Sequence, residues 1–422
     1  MKENQNNPLL SALFFYTGIT SLILYPRPFG LRFNQIGIIV LVIIAFLWFF
    51  IRKLRLSKEE VLLTCLAVLF TISASIGTIS TGIPEGIMTS LVFIFCFIVV
   101  LFSAKAGYNA ILLKGFFYSG LVSSIYIIID AAQFYFLSFE PLIWTISPET
   151  RNPDIMGIPH PFLNFSQVGP LSLYRPSGLC PDPGVSVTGI TLGYITYKEK
   201  WFSLRDRKIY DLIIIAAILL SVSKTSIIAI CGYYVLRRLK FITIVEKDGA
   251  SIKKRSSLWY FLVGLICALF IVGCILPYDG NGNERHLKYF SSLIYFPLSD
   301  PVNFLFGYGM TNTGYYFEDV VPWSKGFFAE GQVCESTLAN IFLYGGIVGS
   351  LFWIYTFSLI IKPQNRSLLI VSIILTLLMF GYTISGSWFF FVVLSAVFKA
   401  IKISNHRRQP FASALTINSA SK

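Results

Sequence analysis

The chain has 422 residues, of which 55% are hydrophobic and only 13% charged, about half the charged share of an ordinary soluble domain. One water-soluble globule of this size cannot hide that much apolar surface, so lipid is the solvent for most of it. Composition therefore excludes a soluble enzyme and a disordered scaffold, and the net charge of +13 has to be sorted by membrane side before it means anything.

Twelve apolar runs follow one another along the chain: Leu9–Tyr25, Ile36–Ile51, Val61–Ser80, Gly86–Ala104, Ala110–Phe139, Pro183–Tyr197, Tyr210–Val222, Thr225–Leu236, Leu258–Pro277, Ser336–Ile361, Ser367–Ile384 and Trp388–Ile401. With the N-terminus in the cytoplasm, the loops place 26 of the 34 Lys and Arg inside and eight outside, while 13 of the 21 acids fall outside. The net charge resolves into +18 inside and −5 outside. The basic excess is thus a topology signal, and no nucleic-acid partner is expected. The expected fold is an all-α polytopic membrane protein of about 12 transmembrane helices with both termini cytoplasmic, one integral domain over residues 1–422. Leu9–Tyr25 follows a single Lys and precedes no small-residue cleavage site, so no cleavable signal peptide is expected.

Tyr210–Leu236 is decided by charge. As one 27-residue helix it would separate Arg205, Arg207 and Lys208 from Arg237, Arg238 and Lys240 and invert every later loop. As two short helices turning at Ser223-Lys224-Thr225 it keeps all six inside. Each arm then spans about 20 Å against a ~30 Å core, leaving Lys224 within the membrane plane. There a cation costs roughly 3 kcal/mol unless an anion or water-filled cavity meets it.

Two outer loops break the pattern of short connections: residues 140–182 and 278–335. Their length and their Pro, Gly, Tyr and Trp content suggest ordered, functional segments, so any active site opens outward. Arg175 is held near the membrane surface by the turns of Pro176-Ser177-Gly178 and Pro181-Asp182-Pro183-Gly184. Gly307-Tyr308-Gly309 lacks the context of a dinucleotide site and is expected as a turn near the bilayer surface. Asp130, inside an apolar run, requires a partner, and a structural hydrogen bond is expected for it. Cys180 and Cys334 are the two outer-loop cysteines among seven. Free thiols are favoured over a disulfide because no framework spacing is present. No metal site is expected, since Glu318-Asp319 is adjacent rather than spaced for a divalent ion.

Four segments together resemble the O-antigen ligase and polymerase superfamily, specifically the Wzy-type polymerases of lipid-linked repeat units. They are Arg175-Pro-Ser-Gly-Leu-Cys-Pro-Asp-Pro; Leu219-Leu-Ser-Val-Ser-Lys-Thr-Ser; Arg285 with Pro297 and Gly307-Tyr-Gly309; and Glu335-Ser-Thr-Leu with Tyr344-Gly-Gly-Ile-Val-Gly349. Lys224 stands where the family carries Arg. Glu335 stands where ligases carry His, which favours polymerase over ligase.

The resemblance implies a glycosyltransferase, free of cofactor and metal, in the bacterial cytoplasmic (inner) membrane with its site facing the periplasm. It would transfer glycan between undecaprenyl diphosphate-linked donor and acceptor, with a chain-length regulator as partner. Arg175, Lys224 and Arg285 become candidate diphosphate ligands, because charge-assisted contacts to phosphate oxygens contribute about 1.5–3 kcal/mol each. Glu335 becomes the candidate general base, with Glu330 and Asp182 as rivals. Tyr174, Tyr308, Asp182 and Glu330 are candidate glycan contacts. Two alternatives stay open: a ligase that transfers finished glycan to another lipid, and a lipid-linked oligosaccharide flippase or transporter. Polarity concentrated in the outer loops rather than at mid-membrane disfavours the transporter.

Overall fold

Backbone N–H and C=O groups in an apolar medium must pair within their own segment, and all twelve apolar runs accordingly fold as helices. A computed structural model describes residues 7–23, 32–52, 56–82, 86–137, 165–168, 171–176, 178–180, 183–238, 255–276, 285–324, 336–361, 365–381 and 389–404. The first helices are α1 (Pro8–Ile19), α2 (Phe33–Arg52), α3 (Lys58–Ser80), α4 (Gly86–Ala106) and α5 (Asn109–Leu137). A hairpin of β1 (Phe165–Val168) and β2 (Leu171–Tyr174) precedes α6 (Pro183–Lys198), α7 (Lys208–Leu220), α8 (Lys224–Arg238) and α9 (Arg255–Ile275). The late loop contributes α10 (Arg285–Ser291), a 3-10 helix (Ser292–Leu298), α11 (Pro301–Phe306) and α12 (Thr313–Asp319). Then come α13 (Thr337–Ile361), α14 (Arg366–Gly381) and α15, residues 389–404. Among the described residues, five helices, α2, α3, α4, α5 and α13, are long and apolar enough to cross a membrane by length and composition.

Polar contacts tie the helix ends into two groups. A capping box on Ser57 and Glu60 starts α3, and the Glu60 carboxylate also takes Lys105 from the end of α4 at 2.5 Å. Asn109 at the start of α5 accepts from Ser395 of α15 at 2.7 Å. Lys198 at the end of α6 pairs with Asp211 in the first turn of α7 at 2.8 Å. Tyr233 of α8 donates to Glu199 at 2.9 Å, Arg366 at the start of α14 donates to the Arg237 carbonyl, and Lys399 lies 4.6 Å over the Trp201 ring. The starts of α3, α5, α7 and α14 and the ends of α4, α6, α8 and α15 thus share one basic end of the bundle.

This places the first turn of α7 and the last turn of α8 together. The Tyr210–Leu236 run is two helices of 13 and 15 residues interrupted at Ser221–Ser223, as the charge argument requires. They diverge from the interruption: α7 lies along α5, α8 along α14, and α6 touches both. α6 is the centre of the bundle, with every residue from Ser186 to Tyr197 buried. A helix that is apolar or small on every face has to sit there.

The opposite end is built on a broken helix. Within α13, Gly346 leaves the helical region at φ 60°, ψ −158°. The Leu343 carbonyl, whose in-helix donor would be Ile347 beyond the break, instead accepts the Tyr308 N–H at 2.7 Å. Gly345 O accepts from the Ser73 hydroxyl of α3 at 2.7 Å. The Gly307–Gly309 turn is therefore buried in the break. Beside it, Tyr289, Phe296, Tyr316, Phe317, Val321, Ala339 and Leu343 form a small second core.

A side chain at Gly346 or Gly307 has nowhere to go. Each takes a positive φ, and an added Cβ would lie 2.4 Å from Leu305 O in the first case and 2.5 Å from Leu343 O in the second. Gly346→Ala and Gly307→Ala are each expected to lower stability by about 3 kcal/mol or more. Thermal unfolding of the detergent-purified protein checks this, and a melting temperature within 1 °C of the parent (on the order of experimental scatter) counts against the capped break.

Candidate functional site

The site is assembled from three separate stretches of chain: the middle of α5, the end of the β-hairpin, and the interruption between α7 and α8. β2 runs antiparallel to β1 with Phe165 opposite Tyr174, which delivers Tyr174 and Arg175 to the side of α5. Asp130 on α5 is 3% exposed and accepts the Tyr174 hydroxyl at 2.8 Å, the structural hydrogen bond expected of it. Burial first, and then the Asp130 charge, push the Tyr174 hydroxyl far above its ordinary pKa, so it remains a donor.

Arg175, half-buried, reaches the other way. Its Nε donates to the carbonyl of Ser221 at 3.0 Å, the residue that caps the end of α7. Lys224, three residues on, is the exposed first residue of α8. Two cations flagged separately in the sequence thus converge on one turn. The hydroxyls of Ser223 and Ser226 in the same turn are buried with no hydrogen-bond partner among the described residues. Together the turn offers a guanidinium, an ammonium, two hydroxyls and the first N–H groups of a 15-residue helix, the components of an oxyanion site.

Val222 completes the turn at φ 51°. Left-handed backbone is strained for a β-branched residue, and such strain clusters at functional turns.

The other candidates divide clearly. Arg285 opens α10, but its side chain lies outside the described residues, as do Asp182, Glu330, Glu335 and Cys334. Tyr174 is 1% exposed with its ring stacked on Phe134 at 4.1 Å. Tyr308 is 2% exposed and its hydroxyl donates to Ser299 at 2.9 Å. Neither ring is open at the surface. Cys180 is buried, and its sulfur donates to the Leu22 carbonyl at 3.3 Å.

Sequence reasoning missed the β-hairpin, the approach of Arg175 to Ser221 and the two buried serine hydroxyls. The serines carried a usable signal, since Ser-x-Ser-Lys-x-Ser puts three hydroxyls around one cation at a helix start. Comparison with known proteins adds no relative: no family model matches the chain, and neither a curated protein nor a solved structure matches it.

The backbone of the turn can be tested directly. Within a helix, Ala is more stable than Gly by about 1 kcal/mol, whereas left-handed backbone reverses that preference by about 1–2 kcal/mol. Val222→Gly is therefore expected to melt above Val222→Ala, even though Gly gives up the Cβ contacts that Ala keeps. Equal or inverted melting temperatures would show that residue 222 is not left-handed in the protein.

Proposed function

We propose that the chain is a glycosyltransferase that polymerises undecaprenyl diphosphate-linked oligosaccharide repeat units into O-antigen- or capsule-type polysaccharide. It would work at the outer face of the bacterial cytoplasmic membrane. The observation that carries this reading is the convergence of Arg175 with the Lys224 turn at Ser221. It gathers two of the motifs that resemble the polymerase family into one anion-binding corner.

The same reading takes the twelve helices as spans with both termini cytoplasmic. In support, the basic residues Lys105, Lys198, Arg366 and Lys399 gather at one end of the bundle, and basic excess marks the cytoplasmic side. The Arg175 turn then stands toward the outer side, at the top of two arms too short to cross fully.

In the reaction, the terminal hydroxyl of the acceptor unit attacks the anomeric carbon of the donor glycan. The bond from that carbon to the diphosphate oxygen breaks, and the carrier leaves as an anion. Arg175 and Lys224 stabilise the charge that grows on the departing oxygens, where fixed donors act most strongly in the transition state. Arg285 is assigned as a further diphosphate ligand from the late loop. Glu335, two residues before the start of α13 at Thr337, is assigned to take the acceptor proton. Donor and acceptor are both lipid-linked, and a chain-length regulator is the expected protein partner.

The test is elongation of purified lipid-linked repeat units by the reconstituted protein, with no nucleotide sugar added. Arg175→Ala and Lys224→Ala are each expected to slow elongation about tenfold to a hundredfold, the equivalent of one charge-assisted contact. Parent-level rates in both variants at equal expression would remove the site. Transfer only to a lipid of a different class, without elongation, would replace the polymerase with a ligase.

A further inference from the structure

Asp130 is the carboxylate whose position the anion site does not by itself explain. It lies in the apolar run of α5 at 3% exposure, where an ionisable group is costly and is kept for a reason. What surrounds it is specific. One helical stretch, residues 130–135, grips a single residue of the β-hairpin at three points. The Asp130 carboxylate accepts the Tyr174 hydroxyl at 2.8 Å. The Phe134 ring stacks on the Tyr174 ring at 4.1 Å and 27°. The Tyr135 hydroxyl donates to the Tyr174 backbone carbonyl at 3.1 Å.

That last carbonyl belongs to the peptide unit joining Tyr174 to Arg175. A peptide is planar, so fixing its oxygen fixes the direction in which Arg175 departs. Pro176 on the other side confines Arg175 to extended backbone. With both flanks set, the guanidinium is carried to Ser221 O at 3.0 Å. Anchoring the hairpin alone would need only the ring stack. A buried carboxylate adds direction, because a hydrogen bond to the hydroxyl fixes where the tip of the ring lies, whereas stacking fixes the ring plane and leaves the ring able to slide within it.

We propose that Asp130 is a positioning residue for Arg175, acting through Tyr174, so that affinity for the diphosphate depends on a carboxylate that never touches it. The proposal rests on the assignment of Arg175 to diphosphate binding and extends that site to α5. Tyr135 is the second arm of the same device.

The test is a double-mutant cycle on the full-length protein in lipid nanodiscs, with a short-chain polyprenyl diphosphate as the probe and thermal unfolding recorded alongside. Asp130→Leu and Tyr174→Phe are each expected to weaken binding about tenfold in the parent background. In an Arg175→Ala background they are expected to add less than about twofold, because a residue acting through Arg175 has nothing left to position. Asp130→Asn, whose amide oxygen still accepts the Tyr174 hydroxyl, is expected to stay within about threefold of the parent.

Equal losses in both backgrounds would show a general packing role and overturn the proposal, as would an Asp130→Asn loss matching that of Asp130→Leu. Should Asp130→Leu fail to fold, Tyr174→Phe carries the same comparison with the ring stack retained. The two assignments fail differently. Arg175→Ala binding as tightly as the parent overturns the diphosphate site itself. A tenfold loss in Arg175→Ala with none in Tyr174→Phe overturns only the positioning.

Discussion

A helix that stops inside an apolar medium leaves carbonyls that water cannot reach, and each must find a donor or cost several kcal/mol. Among the described residues the chain stops a helix within its bundle at Ser221 and at Gly346. Each interruption is met by a donor from a different long loop. Arg175 comes from the first loop and donates from its side chain to Ser221 O. Tyr308 comes from the second and donates from its backbone to Leu343 O. The two long loops, expected from their composition to be ordered, are therefore structural partners of the two broken helices.

The two repairs differ in a way that bears on chemistry. The Tyr308 N–H is fully committed to Leu343 O, and its surroundings at Gly346 are closed by close glycine contacts and an aromatic core. A guanidinium has five N–H donors, so Arg175 serves Ser221 with one of them and still brings a full positive charge to the turn. With Lys224 next in line and buried serine hydroxyls beside it, the Ser221 break is the one equipped for an anionic ligand. The left-handed Val222 belongs to the same logic. A continuous helix would pair Ser221 O with the N–H of residue 225, and the break leaves that carbonyl open to Arg175.

The broad architecture was legible because hydropathy and charge act over whole segments. Runs such as Val61–Ser80 and Gly86–Ala104 match α3 and α4 to within a few residues. The interruption at Ser223-Lys224-Thr225 followed from where the flanking Arg and Lys had to lie. What escaped depends on a few specific contacts. Gly346 is one of two adjacent glycines in an apolar run, and the pair reads equally well as packing or as a break until Tyr308 is seen to supply the missing donor. The β-hairpin lies in a loop whose composition favours turns generally, and eight strand residues leave too weak a periodicity to register. Arg175 was picked out by its turn chemistry, yet no spacing along the chain tells that its guanidinium meets a residue 46 positions away.

Asp130 shows how such residues should be weighed. In a soluble core a Tyr–carboxylate bond is one of many that stabilise a fold, and swapping both partners for apolar groups is often nearly neutral. In lipid the carboxylate starts from a larger penalty, while apolar packing against Phe134 was available at no electrostatic cost. Stability alone therefore favours a hydrocarbon at position 130. A directional acceptor is the better solution only where the orientation of its partner matters beyond the fold, and the partner here is the residue whose peptide aims Arg175 at Ser221.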